Sequence, residues 1–203
     1  MSDDAKLEFF HGNYLFILNT KEGTISVMEL TRFRITDTIE VGPVYTYHLC
    51  NNRYLCVLNE RIEKEKFIGP GAQLTVVDID RHFKTKIIPL GFRPHGDMLS
   101  HGRYLYLIDR EHGSVARLDP SKTEIEHFRV GKNPEKISPY GDYLFVINSE
   151  SRTISVIDTS EIPNAKSFNI GVTPLELLFL DNLYVISKKM DTIKILDIGG
   201  FSS

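Results

Sequence analysis

The stretch Tyr14-Leu-Phe-Ile-Leu-Asn-Thr-Lys-Glu-Gly-Thr-Ile-Ser-Val27 returns as Tyr143-Leu-Phe-Val-Ile-Asn-Ser-Glu-Ser-Arg-Thr-Ile-Ser-Val156, identical at eight of fourteen positions. Self-similarity of this kind constrains a fold more than any single motif. Each copy is one supersecondary unit that can bury its apolar surface only against its neighbours. Further copies begin at Tyr54-Leu-Cys-Val-Leu-Asn, Tyr104-Leu-Tyr-Leu-Ile-Asp and Asn182-Leu-Tyr-Val-Ile-Ser. The five starts, at 14, 54, 104, 143 and 182, are spaced by 40, 50, 39 and 39 residues, so the array is regular apart from one insertion.

Every copy has the same internal order. An apolar run ends at Asn19, Asn59, Asp109, Asn148 or Ser187, side chains that turn a chain by bonding nearby backbone. A second run follows: Thr24-Ile-Ser-Val-Met, Gln73-Leu-Thr-Val-Val, Ser114-Val-Ala-Arg-Leu, Thr153-Ile-Ser-Val-Ile and Thr192-Ile-Lys-Ile-Leu. Its alternation and its β-branched content mark a half-buried strand. Each of these runs ends in an acid, Glu29, Asp78, Asp119, Asp158 or Asp197, and the shared place at a strand end makes them turn formers rather than a metal array. A third run closes on Gly42, Gly91, Gly131 or Gly171, followed within three residues by Pro43, Pro94, Pro134 or Pro174. Glycine permits a sharp exit, and proline fixes φ while removing a donor where the next strand starts. A fourth run lies between each proline and the next copy.

Four short strands in about 40 residues, with no helical periodicity sustained for three turns, predict an all-β fold. The expected architecture is a β-propeller of about five four-stranded antiparallel blades. The series Tyr143-Leu-Phe-Val-Ile-Asn-Ser, Thr153-Ile-Ser-Val-Ile-Asp, Asn169-Ile-Gly and Pro174 resembles the Tyr-Val-Thr-Asn (YVTN) repeat of surface-layer-type and lactonase-like propellers. The resemblance covers about residues 5–198 and implies a single propeller domain over 1–203, with blades at about 5–42, 43–91, 92–131, 132–171 and 172–198. It implies a fold more firmly than a function, because that superfamily includes scaffolds, binding proteins and enzymes.

The last blade contains Pro174–Leu180, Leu183–Ser187 and Thr192–Ile198, and then runs into Gly199-Gly200-Phe201-Ser202-Ser203 without a closing Val-Gly. It is therefore expected to lack its outer strand. Ser2-Asp3-Asp4, ahead of the first inner strand, is poor material for supplying one. An open edge invites a strand from another protein chain or from a second copy. Ile193 and Ile195 are the residues expected beside that partner, with Lys194 as the only charge inside the run.

Composition narrows the partners. Lys and Arg total 24 against 27 Asp and Glu, and neither half of the chain is basic, so neither nucleic acid nor an anionic membrane surface is expected. No apolar run is long enough to insert in a membrane, and 41% hydrophobic residues with 25% charged describe a globular domain. Cys50 and Cys56 flank a turn at Asn51-Asn52-Arg53 and are not directly opposed across it; two buried, reduced thiols are expected. Acids instead of a basic, apolar leader at Met1–Lys6 favour the cytoplasm, or export if a leader has been removed.

The candidate ligand site follows from the resemblance, which places loops entering the innermost strands around one mouth of an axial channel. Tyr45, His95, Glu135, Lys136 and Glu176 occupy those loops. His95 with Glu135 and Glu176 would make an incomplete metal or acid/base set. The seven histidines show no His-x-x-x-His or Glu-x-x-His spacing, and phosphate-loop and nucleophile-elbow motifs are missing, so no catalytic residue, resident metal or cofactor is assigned. His112-Gly113-Ser114 is a turn and its Ser–His adjacency is incidental. The insertion Arg61-Ile-Glu-Lys-Glu-Lys-Phe-Ile-Gly-Pro-Gly-Ala72 lengthens one inter-strand loop by nine residues, and Arg61, Lys64, Phe67 and Ile68 are its candidate partner contacts.

The leading functional expectation is a non-catalytic propeller, a protein-interaction scaffold or assembly subunit. A lactonase-like metal-dependent hydrolase and a sugar- or peptide-binding propeller are the alternatives. On the second strand of each copy, Leu15, Ile17, Leu105, Leu107, Leu144 and Val146 share one face and are expected to pack between blades.

Overall fold

The computed structural model describes residues 5–59, 62–63, 66–67, 71–160, 164–189 and 192–197. The chain divides into two compact units, Met1–Phe92 and Arg93–Ser203. In the first, β1 (Ala5–His11), β2 (Tyr14–Asn19), β3 (Thr24–Glu29) and β4 (Arg34–Glu40) pair in chain order as one antiparallel sheet. The second sheet runs β5 (Thr46–Cys50), β6 (Tyr54–Asn59), then β9 (Gln73–Asp78) and β10 (Lys84–Pro89). The inserted segment contributes a short hairpin between β6 and β9, β7 (Ile62–Glu63) with β8 (Lys66–Phe67).

The second unit repeats the plan. The third sheet is β11 (Pro94–His101), β12 (Tyr104–Asp109), β13 (Ser114–Leu118) and β14 (Ile125–Arg129). The fourth is β15 (Pro134–Tyr140), β16 (Tyr143–Asn148), β17 (Thr153–Asp158) and β18 (Asn164–Asn169). Among the described residues the fifth has three strands, β19 (Pro174–Phe179), β20 (Leu183–Ser187) and β21 (Ile193–Leu196). Each sheet is an up-and-down meander, the form of a propeller blade. Among the described residues no helix is long and apolar enough to cross a membrane.

The period-two pattern sets what these sheets bury. In β16, Leu144 and Val146 point one way and Phe145 and Ile147 the other, and all four are 1% exposed or less. Leu144, Val146 and Ile157 pack on Tyr106 and Val115 of the third sheet. Phe145, Ile147, Ile154 and Val156 pack on Leu177, Leu183 and Val185 of the fifth. In the first unit, Phe16, Leu18, Ile25 and Val27 of the first sheet meet Leu55, Val57 and Val77 of the second. Within each unit the core therefore lies between consecutive sheets, and the strands farthest along each meander, such as β4 and β18, are mostly exposed.

Two sequence expectations change. The residues ending each second strand do more than turn the chain. Asn19 donates to Thr24 Oγ1 and Ser26 Oγ at 3.1 and 3.0 Å, and Asn148 to Thr153 Oγ1 and Ser155 Oγ at 3.1 and 2.8 Å. Asn59 donates to the carbonyls of Val41 and Pro43 at 2.8 Å each, and its own oxygen takes the Thr75 hydroxyl at 2.6 Å. These are buried or partly buried bonds within and between sheets, and the ones from Asn59 tie the exit of the first sheet to the second. The closing glycines also divide. Gly42, Gly91 and Gly171 have φ near +75°, as a sharp exit needs (77°, 75° and 73°), whereas Gly131 is needed for space: a Cβ there would lie 2.4 Å from Ser151 Oγ and Thr153 Oγ1.

Two of the strand-end acids cap turns: Asp119 accepts from Ser121 N and Asp158 from Ser160 N, both at 2.9 Å. Asp78 instead takes a two-pronged pair from Arg53, Nε at 3.0 Å and a terminal nitrogen at 2.9 Å. The Arg53 hydrogen bond holds the Asp78 carboxyl below its usual value, against the smaller opposing effect of burial. Cys50 pairs in register with Tyr54, and Cys56 with His48, as expected. Both thiols are buried and reduced with sulfurs 3.6 Å apart, and the hydrogen bond to Cys50, then burial, pushes the Cys56 thiol up.

Two outcomes follow from this packing. Leu144→Ala removes a large side chain from a fully buried site, and a urea titration should show a loss of about 2–5 kcal/mol; a change of a few tenths would mean that Leu144 does not face the third sheet. A carboxyl whose folded pKa is depressed lends stability above its unfolded value, near 3.9, and loses it as pH falls through the folded one. The melting temperature should therefore drop between about pH 5 and pH 2, and less steeply in Arg53→Gln, whose Asp78 is no longer held down.

Candidate functional site

The residues singled out at the entries to the first strands lie mostly in the second unit, where bulges decide which way they point. In the fourth sheet Pro134 pairs with Asn148 and Lys136 with Ile147, so Glu135 is the extra residue thrown out of the ladder. The fifth sheet repeats this, with Pro174 opposite Ser187 and Glu176 opposite Ile186. Lys136 and Glu176 are thus equivalent positions on adjacent sheets.

Their side chains meet. Lys136 Nζ donates to both carboxylate oxygens of Glu176 at 2.6 Å. That hydrogen bond holds Glu176 below the usual carboxylate range, with burial opposing and the Leu177 amide assisting. Glu135 collects three donors: Ser149 Oγ at 2.7 Å, Asn133 Nδ2 at 3.1 Å and an Arg110 terminal nitrogen at 3.1 Å. Burial pushes Glu135 up, but the Ser149 bond and the charges of Lys188 and Arg110 outweigh it, and the net shift is downward. His95, entering β11, is pushed below its ordinary value by burial and then by Arg110, with Glu135 pulling the other way. That shift favours the uncharged imidazole.

These side chains are therefore a set of compensated charges. A general acid needs a carboxyl raised toward neutrality, and both glutamates are shifted the opposite way. Each already faces a cation. Among the described residues no group of three or more His, Cys, Asp or Glu gathers as a metal site. What these groups offer a ligand is hydrogen bonding and paired charge. Beside these side chains is a cleft of about 480 Å³ whose lining includes Arg129, Lys132, Glu111 and Glu150.

Sequence reasoning chose His95, Glu135, Lys136 and Glu176 but missed Arg110, Asn133, Ser149 and Lys188. Arg110 and Ser149 each follow the residue that ends a second strand, and that repeat position is the signal that would have found them. Tyr45 belongs to the first unit, just ahead of β5, with its side chain 56% exposed and its amide donating to Leu58 O at 2.9 Å. Of the insertion contacts, Arg61, Lys64 and Ile68 lie outside the described residues, and Phe67 ends β8. Ile193 and Ile195 on β21 are 62% and 60% exposed.

The adjacency at His112-Gly113-Ser114 acquires partners. His112 Nδ1 lies 2.8 Å from Asp109 Oδ2, and Ser114 Oγ lies 3.4 Å from the same oxygen and 3.3 Å from His127 Nδ1. A nucleophilic triad sets the imidazole between serine and carboxylate. Here the serine and His112 both address the carboxylate, and His112 also donates its backbone N–H to Asp109 at 3.1 Å, as a turn cap does.

No family model matches the chain, and no curated protein matches it. Solved structures do. A streptogramin B lyase matches at 13% identity over 98% of this chain and 71% of its own, with a TM-score of 0.53. Hsv2 of Kluyveromyces lactis matches at 13% over 96% of this chain and 61% of its own, TM-score 0.62. The dihydro-heme d1 dehydrogenase NirN matches at 13% over 96% of this chain and 44% of its own, TM-score 0.57. This chain thus spans well under the full length of each. At such identity the likeness carries the fold alone. That fold is the β-propeller.

Proposed function

We propose that this chain is a non-catalytic, five-bladed propeller of the Tyr-Val-Thr-Asn repeat type that serves as an interaction scaffold or assembly subunit. The observation that carries this reading is the pairing at the candidate site. Lys136 occupies Glu176, and Arg110 with Ser149 occupies Glu135, so each carboxylate that could act on a substrate or hold a metal is already spoken for. Among the described residues β21 is the last strand of the fifth sheet, with Ile193 and Ile195 exposed, and in this reading that blade is the surface offered to another protein chain or a second copy.

The competing reading, a lactonase-like metal-dependent hydrolase, draws on His95, shifted toward the uncharged imidazole beside Glu135 at the same site. Metal analysis of the purified chain separates the two. The scaffold reading expects no stoichiometric divalent metal in either the wild type or Glu176→Ala, and no lactone hydrolysis by either. Stoichiometric calcium or zinc in the wild type, lost in Glu176→Ala, would overturn it in favour of the hydrolase.

A further inference from the structure

Between the fourth and fifth sheets, both in the second unit, lies a cleft of about 260 Å³. Its walls are the β16–β17 turn, the chain entering β19 and the turn that leaves β20. Arg152, Lys188 and Lys189 bring three cations to it, and Thr173, Ser187 and Thr192 bring three hydroxyls. Among the described residues no carboxylate lines it, and no ion pair takes up Arg152 or Lys189. Lys188 also lends its charge to Glu135, which Ser149, Asn133 and Arg110 already bond.

The main chain holds these three segments in place. Lys188 N donates to Thr173 O at 2.8 Å, Ser187 N to Thr192 O at 3.0 Å and Ile170 N to Arg152 O at 3.1 Å. The cations therefore stand on a framework that needs no ligand to form, and binding has only their flexible ends to order.

The repeat supplies a comparison. One blade earlier, the cleft of about 480 Å³ has Gly113 and Glu150 at the repeat positions that Arg152 and Lys189 hold here. Its lining mixes Glu111 and Glu150 with its cations, so the acids of one cleft are absent from the described lining of the next. Arg152 is also placed against backbone preference. Its φ is +56°, in the left-handed region, where the first and third copies have Gly23 and Gly113. A Cβ at Gly23 would lie 2.6 Å from Gly42 O, and one at Gly113 would lie 3.3 Å from Gly131 O. The turn suits glycine, and the fourth copy sets a guanidinium there instead, in the same cleft as two lysines.

We propose that this cleft binds a dianionic phosphoryl group, of inorganic phosphate or of a small phosphate monoester. Two charges on one tetrahedral centre match three cations better than the single charge of a carboxylate does. Arginine offers a planar fork to two phosphate oxygens, the lysines act as point charges, and hydroxyls can donate to the oxygens that remain. The volume lies just under the roughly 300–1,000 Å³ of small-molecule pockets, which suits a compact anion. Binding here needs neither a metal nor a catalytic group, so the proposal stands apart from the choice between scaffold and hydrolase.

Isothermal titration with inorganic phosphate, glycerol phosphate and acetate at low ionic strength tests it. One phosphate per chain, bound at least tenfold tighter than acetate, is expected. Lys189→Glu installs the acid that the fourth copy carries at this position and should weaken phosphate at least tenfold. Arg152→Gly installs the glycine of the first and third copies and should weaken phosphate by a similar factor without lowering the melt. Arg129→Glu makes the same change of charge in the mixed cleft and should leave the affinity within twofold. Should Lys189→Glu lower the melt, Lys189→Gln reads a loss in the same direction. Tighter binding of glycerol phosphate makes a monoester the ligand, the reverse order makes it free phosphate, and either upholds the cleft. A wild type that takes up no phosphate, or acetate as tightly, overturns the proposal. So do cleft variants that bind as the wild type does, or an Arg129→Glu control that loses as much as they do.

Discussion

Each sheet in this chain is apolar on both faces, and the packing of one such face on the next is the interaction on which everything else depends. A repeat meander that is apolar on both faces cannot bury them alone and needs a neighbour to cover each. Stacked against a neighbour on each side, the middle strand of the fourth sheet becomes almost wholly buried, as Leu144 to Ile147 are. The constraint then passes to the polar groups that must enter the same space. A buried amide without a partner costs more than a bond returns, and the chain meets this most fully at Asn59, whose nitrogen bonds the carbonyls of Val41 and Pro43 and whose oxygen takes the Thr75 hydroxyl.

The sheets were legible in the sequence because their period is two and their punctuation is regular. The run Ser114 to Leu118 is a strand with the same bounds in the structure, and the Cys50–Tyr54 and Cys56–His48 pairings follow from the turn at residues 51–53. What could not be read was the partner of a polar side chain. The asparagines looked like turn formers because sequence shows the neighbour along the chain and not the hydroxyl across the sheet. Asp78 resembled Asp119 and Asp158 in position, yet Arg53, 25 residues earlier, gives it a different role. Such pairings depend on the register of strands distant in sequence.

The candidate site followed the same logic. Its acids were visible as residue types after the prolines, but their chemistry depends on cations that sequence order hides. Lys136 reaches Glu176 40 residues on because the repeat sets equivalent positions of adjacent blades side by side. Glu135 reaches Ser149 and Arg110 because a bulge turns it out of the ladder. A carboxylate stabilised in its charged form this way is a poor proton donor and a good fixed dipole. It is suited to holding two blades in register, which is a structural use of the groups that first suggested catalysis.

Burial in a repeat protein belongs to the position in the array, and not to the residue. Leu15 and Leu144 are the same amino acid at the same place in the same motif, yet one is half-buried and the other fully buried. The first copy is apolar at a face its own unit leaves open, and the last copy carries Ile193 and Ile195 in the same way. An apolar residue retained on an open face costs solubility and invites unspecific association. Terminal repeats that only end an array usually carry a polar outer face instead. Open faces that carry the pattern of covered ones thus have the chemistry of blade contacts and not of caps.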